Sequence, residues 1–118
     1  MKNRNQRIAF FLPSLNIGGI ERVFITYANY LLEEGYDVSF FLCKKEGKLL
    51  SLLNTGVELY DLGNVQLRFS FLKLRKCILR VRPDIIISGG DFPNMVLIIS
   101  SLLLKQKTKI VISQHNYY

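Results

Sequence analysis

Gly18 and Gly19 stand side by side in LNIGGIER, between the apolar run IAFFL and residues with helical spacing. Two bare backbone positions ahead of a helix can serve an anion. The unpaired N–H groups and the positive end of the helix dipole attract negative charge by about 0.3 to 1 kcal/mol, and by up to about 2 when partly buried. They can equally serve a tight turn with close packing of helix on strand. The spacing matches neither GxGxxG nor GxxxxGK[ST], which excludes a dinucleotide fingerprint and a P-loop.

Four other residues have the chemistry to share a site with that turn. At about 100° per residue, Glu21 falls in the apolar arc of Ile20, Phe24, Ile25, Ala28 and Leu32, away from Arg22, Thr26, Asn29 and Glu33. A carboxylate facing inward needs donors. Glu21 either caps the N–H groups of the first turn or orients the glycine loop or a substrate hydroxyl. His115 is the single histidine, and a neutral imidazole there can donate to a sugar hydroxyl or a phosphate as readily as to a structural partner. Asn116 follows it. Asp91 can bind a substrate hydroxyl or, like Asn94, act as an ordinary cap beside Phe92 and Pro93. With no second histidine and no cysteine spaced for a metal, no metal site is expected.

The elements that must position these residues alternate along the chain. Arg7 to Leu12 reads as a strand, Ile20 to Glu34 as a helix with Phe24, Tyr27 and Leu31 in phase, and Gly35 as its stop. Asp37 to Cys43 is a second strand, Lys48 to Leu53 a short helix, and Val57 to Leu62 a third strand. Ser70 to Arg82 is a helix stopped by Pro83. Asp84 to Ser88 is a fourth strand, Asn94 to Leu104 a helix and Lys109 to Ser113 a fifth strand. Nearly continuous apolar strands separated by helices predict an α/β fold with a doubly wound parallel sheet of about five strands, covered on both faces. In such sheets ligands bind beyond the carboxyl ends of the strands, where the order reverses. With the order 3-2-1-4-5, three segments meet there: Pro13 to Gly19, Gly89 to Asn94 and Gln114 to Tyr118. They carry the glycines, Asp91, His115 and Asn116.

Composition narrows the classes. A chain of 118 residues, 49% hydrophobic and 21% charged, is one globular unit and is not disordered. The start MKNRNQRIAFFLPS imitates a secretory leader, but its apolar run breaks at Pro13, short of the roughly 7 to 15 residues needed. MVLIISSLLL, from Met95 to Leu104, is about half of a membrane span. Cys43 and Cys77 read as reduced thiols, which favours the cytoplasm. The net charge of +7 suits nucleic acid, an anionic membrane surface or a phosphorylated substrate. Much of that charge lies on Ser70 to Arg82, whose core arc is Phe71, Leu74, Ile78 and Val81. Lys73, Lys76 and Arg80 share the outer side, with Leu72 and Leu79 exposed among Arg75 and Lys76. Cations flanking exposed leucines suit an anionic bilayer surface, and a solvated face packed on a missing neighbour is the other reading.

In their order, IAFFLPSLNIGGIERV, LLEEGYDVSFF, RPDIIIS and KIVISQHN resemble the amino-terminal domain of the retaining, group-one glycosyltransferases of GT-B architecture. The likeness runs over nearly the whole chain, and its most specific piece is GGIER with EEGYDV about a dozen residues later; family members often carry His where this chain has Tyr36. The resemblance implies a Rossmann-like acceptor-side domain, residues 1–118, of a two-domain enzyme. Its donor-binding carboxyl-terminal domain, with the paired glutamates, is missing, and further strands of the first domain normally follow. It implies transfer of a sugar from a nucleotide-diphosphate donor to a lipid-linked or polysaccharide acceptor at the cytoplasmic membrane face. The donor is then a substrate rather than a cofactor, and this portion alone does not catalyse transfer. Gly18 and Gly19 would approach the donor diphosphate, and His115 the transferred sugar.

Two other classes stay in view. A sugar epimerase or another Rossmann-type nucleotide-binding protein should show GxGxxG and an acidic residue closing strand two, where this chain has Cys43 and Lys44. A non-catalytic module for anionic surfaces would bind with strong salt dependence. Few aromatic residues interleave with the basic ones, and no recognition helix appears, so nucleic acid is not expected as a partner.

Overall fold

In the computed structural model the described residues are 6–16, 18–63, 66, 69–90, 94 and 109–113. They form β1 (Arg7–Leu12), α1 (Gly19–Glu33), β2 (Asp37–Leu42), a 3-10 helix (Lys48–Leu52), β3 (Glu58–Asp61), α2 (Phe71–Val81), β4 (Ile85–Gly89) and β5 (Lys109–Ser113). The strands make one parallel sheet in the order β3-β2-β1-β4-β5, as expected. The order reverses between β1 and β4, which puts the switch point, where open parallel sheets form their ligand crevice, between the carboxyl ends of these two strands.

The central strands are apolar on both faces because both are covered. Ile8, Phe10 and Leu12 join Val38, Phe40 and Leu42 beneath Phe24, Ile25 and Ala28 of α1. Ala9, Phe11, Phe41 and Ile86 point the other way, beneath Leu74 and Ile78 of α2. The Phe10 ring lies 5.0 Å from that of Phe40 and 5.1 Å from that of Phe24, which ties two strands and a helix at one point. β3, at the edge, is shorter than Val57 to Leu62 and only half-buried, since one side of an edge strand has no neighbour to pack against.

Each helix ends where its sequence says, by a different device. Gly35, at φ 97, lets Tyr36 N donate to Leu31 O and Gly35 N to Leu32 O, a Schellman closure of α1. Pro83 stops α2 at Val81, and Arg82 takes a left-handed φ of 54 rather than the extended conformation usual before proline. Arg7 N then donates to Asp84 Oδ2 at 2.8 Å and Asp84 N to Arg7 O, which sets β4 beside β1. The helix expected over Asn94 to Leu104 falls outside the described residues except for Asn94, which is helical. No helix among the described residues is long and apolar enough to cross a membrane.

One expected inward residue faces elsewhere. Tyr27 is 57% exposed, and with Tyr30, Val23 and Val111 it rims an apolar groove of about 480 Å³ beside α1. Among the described residues the inward arc of α1 is narrower than the periodicity suggested, because the helix packs over β1 and β2.

Candidate functional site

The crevice at the switch point is built by close packing of α1 on β4. A Cβ placed on Gly89, the last residue of β4, would lie 2.8 Å from Ile20 Cγ2 and 3.1 Å from Phe24 Cζ. A bare residue at that position therefore lets the first turn of α1 sit down on the end of β4. Ser113 ends β5 in register with Gly89. The exits of β1, β4 and β5 thus adjoin, as the strand order predicted. His115 and Asn116 follow Ser113 along the chain, and Asp91 follows β4; all three lie outside the described residues.

The glycine pair itself shows no left-handed backbone. Gly18, the N-cap of α1, is extended at φ −173, and Gly19 is the first helical residue. A tight turn requiring positive φ is therefore not what these positions serve. Gly18 instead makes room for Glu21. A Cβ there would overlap Glu21 Oε1 and lie 3.0 Å from its Cδ and 3.2 Å from Oε2. Glu21 is half-buried, with its carboxylate over Gly18. It makes no hydrogen bond to another described residue, so a cap of first-turn N–H groups is not formed there. Gly19 is exposed.

Asn94 does not cap. It is buried and accepts a hydrogen bond from the hydroxyl of buried Ser88, one residue before the end of β4. Neither strand periodicity nor motif spacing marked Ser88, because a serine inside DIIIS gives no signal until its partner is known.

The larger omission was the loop after β2. Parallel pairing puts β2 beside β1, so both strands exit at the same rim. Lys44 N donates to Pro13 O at 2.9 Å, Leu15 N to Glu46 O at 3.0 Å and Leu49 N to Leu15 O at 3.0 Å. Gly47, at φ 131, presses so close that a Cβ would overlap Leu15 O and lie 2.7 Å from Asn16 N. The approach to the glycine turn is thereby fixed from the β2 side. The signal available was the glycine in KKEGK, where an αL-type or bulged position is to be expected in a polar loop.

On the other face, Lys73, Lys76 and Arg80 are exposed on α2, and Leu72 is 53% and Leu79 38% exposed beside them. Phe69, just ahead of the helix, is 61% exposed. Leu74 and Ile78 are fully buried, and Phe71 and Val81 are half-buried, as the core arc required. The three cations and Cys77 form one wall of a groove of about 310 Å³ against Tyr60 and Asp61 of β3. Burial pushes the Cys77 thiol up to about 11, with Arg80 opposing, and burial also pushes Cys43 up. Both thiols are free, and burial disfavours the thiolate of each.

Residues 17–118 match the family model described as Glycosyltransferase Family 4. Among curated proteins the chain is similar to the GalNAc-alpha-(1->4)-GalNAc-alpha-(1->3)-diNAcBac-PP-undecaprenol alpha-1,4-N-acetyl-D-galactosaminyltransferase of Campylobacter jejuni subsp. jejuni serotype O:2. The two are 33% identical over 93% of this chain. The chain spans 32% of that relative's length.

Proposed function

The chain belongs to glycosyltransferase family 4, and from that premise we propose that it is the acceptor-side domain of an enzyme moving a sugar from a nucleotide diphosphate to a lipid-linked or polysaccharide acceptor. The observation that carries the reading is the exposed amide end of α1, seated on the end of β4 at the switch point of the sheet. In the reaction the bond between the sugar's anomeric carbon and the diphosphate oxygen breaks, an acceptor hydroxyl oxygen bonds to that carbon, and its proton is lost. Retention at that carbon is part of the proposal. Gly18 and Gly19 offset the charge developing on the leaving diphosphate, His115 positions the sugar, and Asp91 and Asn116 take substrate hydroxyls. A second, donor-binding domain completes the site.

Glu21 sets a condition on this chemistry. Two like charges about 4 Å apart at an effective dielectric of about 20 repel by about 4 kcal/mol, more than the roughly 2 kcal/mol a helix end supplies. The carboxylate over Gly18 therefore swings aside when the diphosphate arrives and is then free to accept a substrate hydroxyl. The test is release of nucleoside diphosphate by the two-domain enzyme, this domain together with its donor-binding partner domain, supplied with uridine- or guanosine-diphosphate sugars and a lipid-linked glycan. Silence across those donors counts against the reading.

The acceptor named for the relative is carried on undecaprenyl diphosphate, which supports a lipid-linked acceptor; a position at the cytoplasmic face of the membrane is part of the proposal. Phe69, Leu72 and Leu79 would enter the interface while Lys73, Lys76 and Arg80 meet anionic headgroups, each cation contributing about 1 kcal/mol. Changing the three cations to Glu is expected to cut flotation with phosphatidylglycerol vesicles at least tenfold. Unchanged flotation would remove α2 from the membrane contact.

A further inference from the structure

The carboxyl rim has a second recess, on the β2 side of the glycine turn. It is a cleft of about 330 Å³, at the small end of the roughly 300 to 1,000 Å³ usual for small-molecule sites. Ser14 and Asn16 contribute from the loop after β1, Lys44 and Glu46 from the loop after β2, Gln66 from the segment ahead of α2, and Pro13 an apolar patch. Other cavities sit elsewhere: the one of about 380 Å³ touches Arg7, Asp37 and Glu58, at the amino ends of the strands, where open parallel sheets do not bind their substrates.

Both loops that wall the cleft are rigid at the backbone. The three bonds that join Pro13 and Leu15 to Lys44, Glu46 and Leu49, and the close seat of Gly47 on Leu15, hold them as one shelf. A ligand there meets groups already in place, which removes part of the ordering cost of binding. The side chains offer both hydrogen-bonding senses. Asn16 Nδ2 donates to Ser14 Oγ at 2.8 Å, which leaves the Asn16 carbonyl to accept and the Ser14 hydroxyl to donate. Lys44 and Glu46 are exposed and make no ion pair with a described residue. One ammonium and one carboxylate cancel, so the described residues of the lining carry no excess of positive charge with which to hold a phosphate. Interleaved donors and acceptors beside an apolar patch instead match a sugar ring, whose hydroxyls each donate and accept. Asn16 lies two residues before Gly18, within about 7 Å along an extended backbone.

The geometry points to this cleft as a neutral saccharide subsite that holds the sugar ring of the acceptor beside the glycine turn, and the inference rests on the transferase reading above. The experiment is saturation-transfer NMR on the two-domain enzyme, this domain together with its donor-binding partner domain, with the methyl α-glycosides of glucose, galactose, N-acetylglucosamine and N-acetylgalactosamine. Uridine and guanosine diphosphate are titrated in parallel. At least one glycoside is expected to receive saturation, falling at least fivefold in Lys44→Ala and in Glu46→Gln, while nucleotide binding changes less than twofold. Both side chains are exposed, so unchanged thermal melts accompany the loss. Saturation absent from all four glycosides, or undiminished in both variants, overturns the subsite. Displacement of the glycoside by millimolar inorganic phosphate does so too, by assigning the cleft to an anion. If the glycoside binds as expected while neither nucleotide binds, the subsite stands and the transferase reading falls.

Discussion

Gly47→Ala is expected to destabilise the protein by about 2 to 4 kcal/mol and to displace the glycine turn in the same step. Two costs add. The backbone at φ 131 is a conformation that L side chains rarely adopt, worth about 1 to 3 kcal/mol of strain. The new methyl would also overlap the carbonyl of Leu15 and lie 2.7 Å from Asn16 N, and neither backbone group can rotate away as a side-chain end would. Gly35 supplies the control. It too has positive φ, 97, but a methyl there meets nothing within 4 Å, so Gly35→Ala should show strain alone, about 1 to 2 kcal/mol. Urea denaturation of the two variants separates the terms. Equal losses would mean that the contact between the β2 and β1 loops relaxes freely and does not hold the turn. If the shelf does hold it, nucleotide-sugar turnover in Gly47→Ala falls further than the folded fraction accounts for.

For Gly19→Val in the full-length, two-domain enzyme the large effect is expected in turnover, with little in stability. Gly19 is exposed and begins α1 with helical backbone, so valine there gains some helix propensity over glycine at a solvent-facing position. A branched side chain at that point stands between the helix amides and an approaching diphosphate. Removing a donor of this kind from a developing negative charge costs about 10² to 10³ in rate, and a drop of at least about 10² in kcat is the expected result, with a melting temperature within a few degrees of the parent. Parallel loss of melting temperature and turnover would return the glycine pair to a packing role. Together the variants divide the rim into a part that holds, Gly47, and a part that meets substrate, Gly19.

Much of the architecture was legible because the local signals agree. RIAFFL, DVSFFL and IIISG are short apolar runs, and the helices between them carry their own stops, Gly35 for α1 and Pro83 for α2. β5 falls at Lys109–Ser113, as read. Where an element has only half its neighbours the reading is less sharp. β3 is shorter than its apolar pattern because it is an edge, and Tyr27 faces a groove because α1 packs over β1 and β2. Of the candidate site, the glycine pair, Glu21 and the meeting of the β1 and β4 exits were named in advance, whereas Gly47, Ser88 and the polar cleft were not.

By itself the sequence determined which segments become strands and helices and that both faces of the sheet are covered. Those properties depend on residues a few positions apart, through the two-residue period of a strand and the 3.6-residue period of a helix. The tertiary structure alone decided that Gly47 seats on Leu15, that Gly89 admits Ile20 and that Ser88 holds Asn94. The reason is that a residue's distance to a partner on another element is set by how whole elements pack. A glycine or serine looks the same in the chain whether or not a neighbour will come within 3 Å of it.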